Sequence, residues 1–222
     1  MNLENLKNTN DDCWYNEVCD EDCTNCIKYK SMKWQFDNCG LPKAKYKPIK
    51  LSPQRIDRET FRHLADIRNN IVDFVSSGKN LYICGTTPGN GKTSWAIKML
   101  QTYFHYVAEG NIFNIKGMFV STPELLLKLK DFNNSLDSEY KETLKTCDLL
   151  ILDDIAVTGL SQFDYLQLFA LIDNRILAEK SIIFTSNIAL KEDLSNIIGD
   201  RLASRVWNNS EVVEIKGGDM RG

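Results

Sequence analysis

A short apolar run, Leu81-Tyr82-Ile83-Cys84, breaks into Gly85-Thr86-Thr87-Pro88-Gly89-Asn90-Gly91-Lys92-Thr93-Ser94. Glycines let successive backbone N–H groups turn inward on an anion, a lysine reaches outer phosphates, and a hydroxyl can ligate Mg²⁺. Such a loop needs a strand before it and a helix after it. Leu81 to Cys84 supply the strand, and Ala96, Met99, Leu100, Tyr103, Phe104 and Val107 recur at helical spacing until Gly110. Thr87 to Ser94 are the candidate nucleotide contacts, with Lys92 on the phosphates and Thr93 on Mg²⁺. One departure stands out. Counted back from Gly91, the pattern G-x-x-x-x-G-K-[ST] places Thr86 where its first glycine belongs, with Gly85 one residue early. Either the loop is one residue longer, or Thr86 takes the turn position.

Downstream, strands and helices alternate, the sign of a parallel sheet covered on both faces. Gly117 to Ser121 is a strand leading into a helix capped by Thr122-Pro123-Glu124, and Ser135 to Thr146 is a more polar helix. Leu149-Leu150-Ile151-Leu152 is an apolar strand ending in Asp153-Asp154. A buried parallel strand delivers such carboxylates to the crevice at the carboxyl ends of the sheet. There Asp153 would hold Mg²⁺ and Asp154 would orient or deprotonate an attacking water. Gln162 to Glu179 reads as a long helix, and Ser181 to Phe184 as a strand ending in Thr185-Ser186-Asn187. Asn187 could hydrogen-bond the water or the γ-phosphate. A short helix at Gly199 to Val206 carries Arg201 and Arg205 one turn apart, and Glu211 to Ile215 is the last strand. Arginine suits charge on a transferring phosphoryl group, often that of a neighbouring subunit.

With 222 residues the chain can bury one substantial core and a small appendage. Its 43 % hydrophobic and 26 % charged content is that of a soluble globular protein. No apolar stretch is long enough to span a bilayer and the N-terminus is not a signal peptide, so a cytoplasmic location is expected. A net charge of −3 argues against coating nucleic acid by bulk charge; any such contact needs a local basic surface and several subunits.

Seven cysteines occur, four of them at Cys13, Cys19, Cys23 and Cys26. In a reducing compartment four clustered thiols suit a tetrahedral Zn²⁺, with an iron–sulfur cluster and free thiols as the alternatives. Cys39 is a substitute ligand, whereas Cys84 and Cys147 fall in or beside strands and read as core filler. The expected organisation is a cysteine-rich zinc-binding domain over 1–40, a lysine- and proline-rich linker over 41–56 and an ATPase domain over 57–222. The last opens with a helix from about Asp57 to Ser77.

The ordered set of phosphate loop, Asp153-Asp154, Thr185-Ser186-Asn187, then Arg201 and Arg205 resembles an AAA+ ATPase of the replicative-helicase loader family, DnaC/DnaI type. Val120 to Leu126, Ile172-Asp173-Asn174-Arg175 and the closing Lys216-Gly217-Gly218-Asp219-Met220-Arg221 agree with it. The resemblance implies a P-loop AAA+ core with a five-stranded parallel sheet and no C-terminal lid. It makes Lys92, Asp154 and the sensor Asn187 catalytic, with Arg205 the finger acting on a neighbour's ATP. Arg201 is a second candidate for that finger, and Arg221 a nucleotide contact. By the same resemblance the N-terminal end grips the helicase.

The function this implies is ATP-dependent loading of a hexameric replicative helicase onto single-stranded DNA in a bacterial cell or phage-infected bacterium. ATP and Mg²⁺ would lie between subunits of a homo-oligomer. Asp154, where many relatives have Glu, points to slow hydrolysis, and Lys128 and Lys130 are the expected DNA-facing cations. The rival readings are a transposition helper ATPase and a non-hydrolysing, nucleotide-gated binding module.

Overall fold

In the apolar strands successive side chains are buried on opposite sides. In β1 (Asn80–Cys84), Leu81 and Ile83 enter one core while Tyr82 and Cys84 enter another. The same alternation runs through β3 (Leu149–Asp153) and β4 (Ser181–Ser186). A strand buried on both faces has no polar side to show, which is why these segments read as continuous apolar runs. With β2 (Gly117–Ser121) and β5 (Ser210–Glu214) they form one parallel sheet of order β2-β3-β4-β1-β5. The computed structural model describes residues 26–108, 114–130 and 137–220.

One face is covered by α1 (Ile27–Asn38), α2 (Arg58–Asn69), α3 (Ile71–Ser76) and α4 (Lys92–Val107). The other is covered by α5 (Thr122–Lys130), α6 (Asp137–Thr146), α7 (Gln162–Leu177), α8 (Lys191–Ile198) and α9 (Asp200–Asn208). The start of α7 is set by a capping box in which Ser161 and Asp164 bond each other's backbone N–H. Arg175 of α7 is fully buried and donates to the carbonyls of Leu144, Cys147 and Ser181 at 2.7, 2.9 and 2.7 Å. It ties the lower ends of α6, β3 and β4 together, with carbonyl dipoles in place of a counter-ion.

Three elements differ from the sequence reading. The helix expected from Asp57 to Ser77 is two helices, broken at Asn70, whose backbone N–H turns back to Asp66 and Ile67. α8 was not anticipated. Neither was α1, which lies where the cysteine-rich domain was expected yet packs on the core under the sheet: Met32, Phe36, Cys39 and Leu41 are buried with Phe104 and Ala108. Gln35 clamps the chain before β2, donating to Asn114 O and accepting from Lys116 N, both at 2.9 Å. Gly40 (φ +83°) lets the following turn approach Phe119, whose carbonyl would lie 2.5 Å from any Cβ there. Residues 41–56 are docked as well, with Tyr46, Ile49 and Leu51 packed on the same core.

Residues just before α2 are clasped to the chain that follows β5. Asp57, 2 % exposed, accepts from Lys216 N and Gly217 N, each at 2.8 Å, and Gln54 brackets Gly218. A Cβ on Gly217 would collide with the Asp57 carboxylate. Beyond the clasp, Met220 N donates to Gly89 O at 3.0 Å, so the tail rests on the phosphate loop. Losing the carboxylate would orphan two backbone donors. Asp57→Ala is therefore expected to cost about 2–4 kcal/mol in urea unfolding, and Gly217→Ala to be destabilising too.

Candidate functional site

The sheet order sets the tips of β3, β4 and β1 side by side, and the candidate site forms over them. After Cys84 the chain passes under the exit of β5, where Ile215 N donates to Cys84 O at 2.8 Å. A side chain at Gly85 would strike Ile215 O and come within 2.6 Å of Asn90 Nδ2. Among the described residues only Asp154 and Glu179 are non-glycine with positive φ, so Thr86 keeps ordinary backbone geometry. Of the two readings of the loop, the longer one with Gly85 at the close approach fits. Gly89 (φ +75°) and Gly91 (φ +102°) supply the left-handed turns that aim the chain into α4.

Lys92, at the start of α4, is 7 % exposed. Its ammonium donates to Gly85 O (2.8 Å), Thr87 O (3.0 Å) and Asn90 Oδ1 (2.9 Å), holding the loop around itself. Asn90 is fixed in turn by donating to Ile215 O at 2.8 Å. A phosphate entering here exchanges those carbonyls for charged oxygens on the same donors.

One step away, Thr93 Oγ1 and Thr185 Oγ1 both donate to Asp153 Oδ1 at 2.7 Å. Thr185 Oγ1 also accepts from Asp154 N at 2.9 Å. Asp154 sits at φ +57°, a left-handed conformation that aspartate adopts at a cost of roughly 1 kcal/mol. Burial, then the charge of Asp153, holds its carboxyl above the usual carboxylate value, with Lys92 opposing. Thr93 and Asp153 are hard oxygen donors beside a helix N-terminus, a donor set that fits Mg²⁺ with phosphate.

These groups open on a cleft of about 350 Å³ lined by Pro88 to Ser94, Asp153, Asp154 and Asn187. Thr87 contributes through its carbonyl to Lys92. Arg205 and Arg201 do not line it; they border a separate hollow of about 490 Å³ on α9. Arg205 Nε lies 2.8 Å from Asp173 Oδ1, and Arg201 lies over the Phe169 ring at 5.4 Å. The two lysines expected to face DNA have partners within the chain: Lys130 pairs with Asp164 at 2.9 Å and Lys128 lies over Tyr140 at 5.2 Å. Two contributors escaped the sequence reading. Thr185, at the tip of β4, and Lys45, from the expected linker, both line the cleft.

Of the proposed zinc ligands, Cys13, Cys19 and Cys23 lie outside the described residues. Cys26 caps α1, its sulfur accepting from Tyr29 N at 3.5 Å. Among the described residues no group of three or more metal-ligating side chains occurs. Cys39 is not placed as a substitute ligand: it is fully buried in the core and burial pushes its thiol up to about 12. Cys84, pushed up to about 11 by burial, and the buried Cys147 are core residues, as read. No described helix is long and apolar enough to cross a membrane.

The family model described as IstB-like ATP binding protein matches residues 53–222. The chain belongs to this family of ATP-binding proteins. It is 23 % identical over 187 residues to the replicative helicase loader DnaC of Buchnera aphidicola, covering 81 % of this chain and 65 % of that protein's length. A crystal structure of the DnaC helicase loader superposes with a TM-score of 0.62 at 26 % identity, over 75 % of this chain and 94 % of that one. A primosome-component structure from Streptococcus pyogenes, described as putative, gives 0.57 at 25 %, over 82 % and 92 %. The resemblance to DnaC/DnaI-type AAA+ proteins and the P-loop AAA+ core with its five-stranded parallel sheet are thereby borne out.

The folded-state pKa of Asp154 is raised, so protonating it favours the folded chain and its charge is a penalty at neutral pH. Asp154→Asn is expected to raise the melting temperature at pH 7. The gain should shrink as the pH falls from the raised folded value of Asp154 toward about 4, and vanish below it, where an unfolded aspartate is protonated too. Thermal scans across that range check it.

Proposed function

We propose that this chain is an ATP-dependent loader of a replicative DNA helicase onto single-stranded DNA, working as a homo-oligomer with ATP between subunits. The observation that carries the reading is the meeting of Thr93 and Thr185 on one Asp153 oxygen, in the cleft that also holds Lys92 and Asp154. Such a site has no use for covalent catalysis. It works by positioning and by charge placed where the γ-phosphoryl group leaves.

In this reading Thr87 to Ser94 wrap the phosphates, with Lys92 on the outer ones. Thr93 and Asp153 would hold Mg²⁺, which would supply positive charge against the outer phosphates. Asp154 orients the attacking water and takes its proton, for which a raised pKa is an advantage. Asn187, in the same cleft, hydrogen-bonds that water or the γ-phosphate. Arg205 lies outside its own chain's cleft, so it serves the neighbour's ATP, and assembly completes each site. Cys13, Cys19, Cys23 and Cys26 hold a structural Zn²⁺ in an N-terminal module that engages the helicase.

Lys92→Ala should abolish nucleotide binding, while Arg205→Ala should bind ATP normally and lose about 10³-fold in turnover. Full turnover in the Arg205 variant would remove the trans-finger assignment. Elemental analysis should find close to one zinc per chain, lost in Cys23→Ser; a metal-free chain defeats the zinc reading. Co-purification with a hexameric replicative helicase tests the loader role itself. Retained ATPase activity without helicase capture would favour a transposition helper, and nucleotide binding without turnover a nucleotide-gated module.

A further inference from the structure

Lys45 comes from a stretch that reads as linker, yet it lines the nucleotide cleft together with Ser94, Ile97 and Asp153. Its backbone is not free to wander. The 3₁₀ turn Lys43–Lys45 is closed by Tyr46 N to Lys43 O at 3.1 Å, and Tyr46 stacks on Phe36 at 5.0 Å. The fully buried Gln101 of α4 donates to Lys45 O at 2.7 Å and to Lys47 O at 2.9 Å. Two hydrogen bonds from one buried amide fix this turn against the third helical turn of α4.

Gln101 lies four residues beyond Ile97, about 6 Å further from the phosphate end of the helix at 1.5 Å per residue. The backbone of Lys45 is anchored at that deeper level, while its cleft neighbours on α4 are Ile97 and Ser94. A lysine stem is long enough to cover the difference, so the ammonium end is the part that serves the cleft. The charge balance there makes room for it. Of the residues lining the cleft, the cations are Lys45 and Lys92 and the anions are Asp153 and Asp154. Lys92 alone cannot offset both carboxylates and a magnesium-bound triphosphate, which keeps net negative charge.

We propose that Lys45 is a second phosphate-binding cation of the site, contributed by the segment that joins the N-terminal region to the ATPase core. The assignment rests on the nucleotide-binding reading above and goes beyond it, because no part of the phosphate-loop motif supplies this residue. It also makes cleft occupancy felt by the strap itself. Nucleotide phosphate would draw on the Lys43–Lys45 turn and, through Tyr46 and Phe36, on α1.

The test is ATP affinity of the full chain by calorimetry, with thermal unfolding of the nucleotide-free protein in parallel. Lys45→Ala is expected to weaken ATP binding about tenfold, as for loss of one charge-assisted contact, and Lys45→Arg to retain most of it. The nucleotide-free melting temperature should not move, since the side chain is exposed and its carbonyl carries the packing. ATP affinity in Lys45→Ala within twofold of the parent overturns the proposal. So does a loss that Lys45→Arg shares equally, which would mark a steric effect. Absence of ATP binding by the parent chain, with Lys92→Ala no worse, would instead overturn the nucleotide-binding reading.

Discussion

The oxygen Asp153 Oδ1, with the hydroxyls of Thr93 and Thr185 both donating to it, is the joint on which the site depends. Those hydroxyls come from the start of α4 and the tip of β4, while Asp153 ends β3. A third link runs from Thr185 to Asp154 N and fixes the left-handed turn that follows β3. Three hydrogen bonds thus set the positions of a candidate metal ligand, a candidate metal-binding acid and a candidate base. Donating to Asp153 leaves the Thr93 hydroxyl its lone pairs, so the same side chain can brace the carboxylate and ligate a cation at once.

That joint forms only because the sheet is parallel and in this order, and here the sequence was most legible. A run such as Leu149-Leu150-Ile151-Leu152 admits few interpretations once both faces of a strand must be covered. The loop glycines were legible for a similar reason, since all three take positive φ and Gly85 also has no room for a Cβ. What local patterns could not show were pairings between distant segments. Nothing in Lys43-Ala44-Lys45 announces that Gln101 will hold it, and nothing in Asp57 that two amides more than 150 residues away will claim its carboxylate. α1 was not legible because the burial of Met32, Phe36 and Leu41 depends on α4, more than 50 residues away, and four cysteines dominate the local pattern.

The docking of α1 and residues 41–56 changes how any N-terminal module would relate to the P-loop core. A free, lysine- and proline-rich linker would uncouple the two by conformational averaging. Here Gln35, Tyr46 and Gln101 pin the connection to β2 and α4, and the tail clasp at Asp57 and Gln54 pins its far end beside the phosphate loop. One end of the strap therefore touches α4, and the other the tail that rests on the loop. Packed contacts run from α4 through Tyr46 and Phe36 to α1, whose N-cap is Cys26.

Arg205 is held within its own chain, away from the cleft. Its guanidinium pairs with Asp173 on the neighbouring helix, with close to half of the arginine side chain still exposed. Ion pairs of that exposure contribute about 0–1 kcal/mol, enough to favour one orientation and too little to retain the arginine against a desolvated phosphate. The isolated subunit then carries a complete phosphate cradle and an arginine parked away from it. On the trans-finger reading, charge stabilisation of the leaving phosphoryl group is missing until a neighbour arrives. On the same reading, slow turnover of the monomer would follow from the position of Arg205 as well as from the short side chain of Asp154.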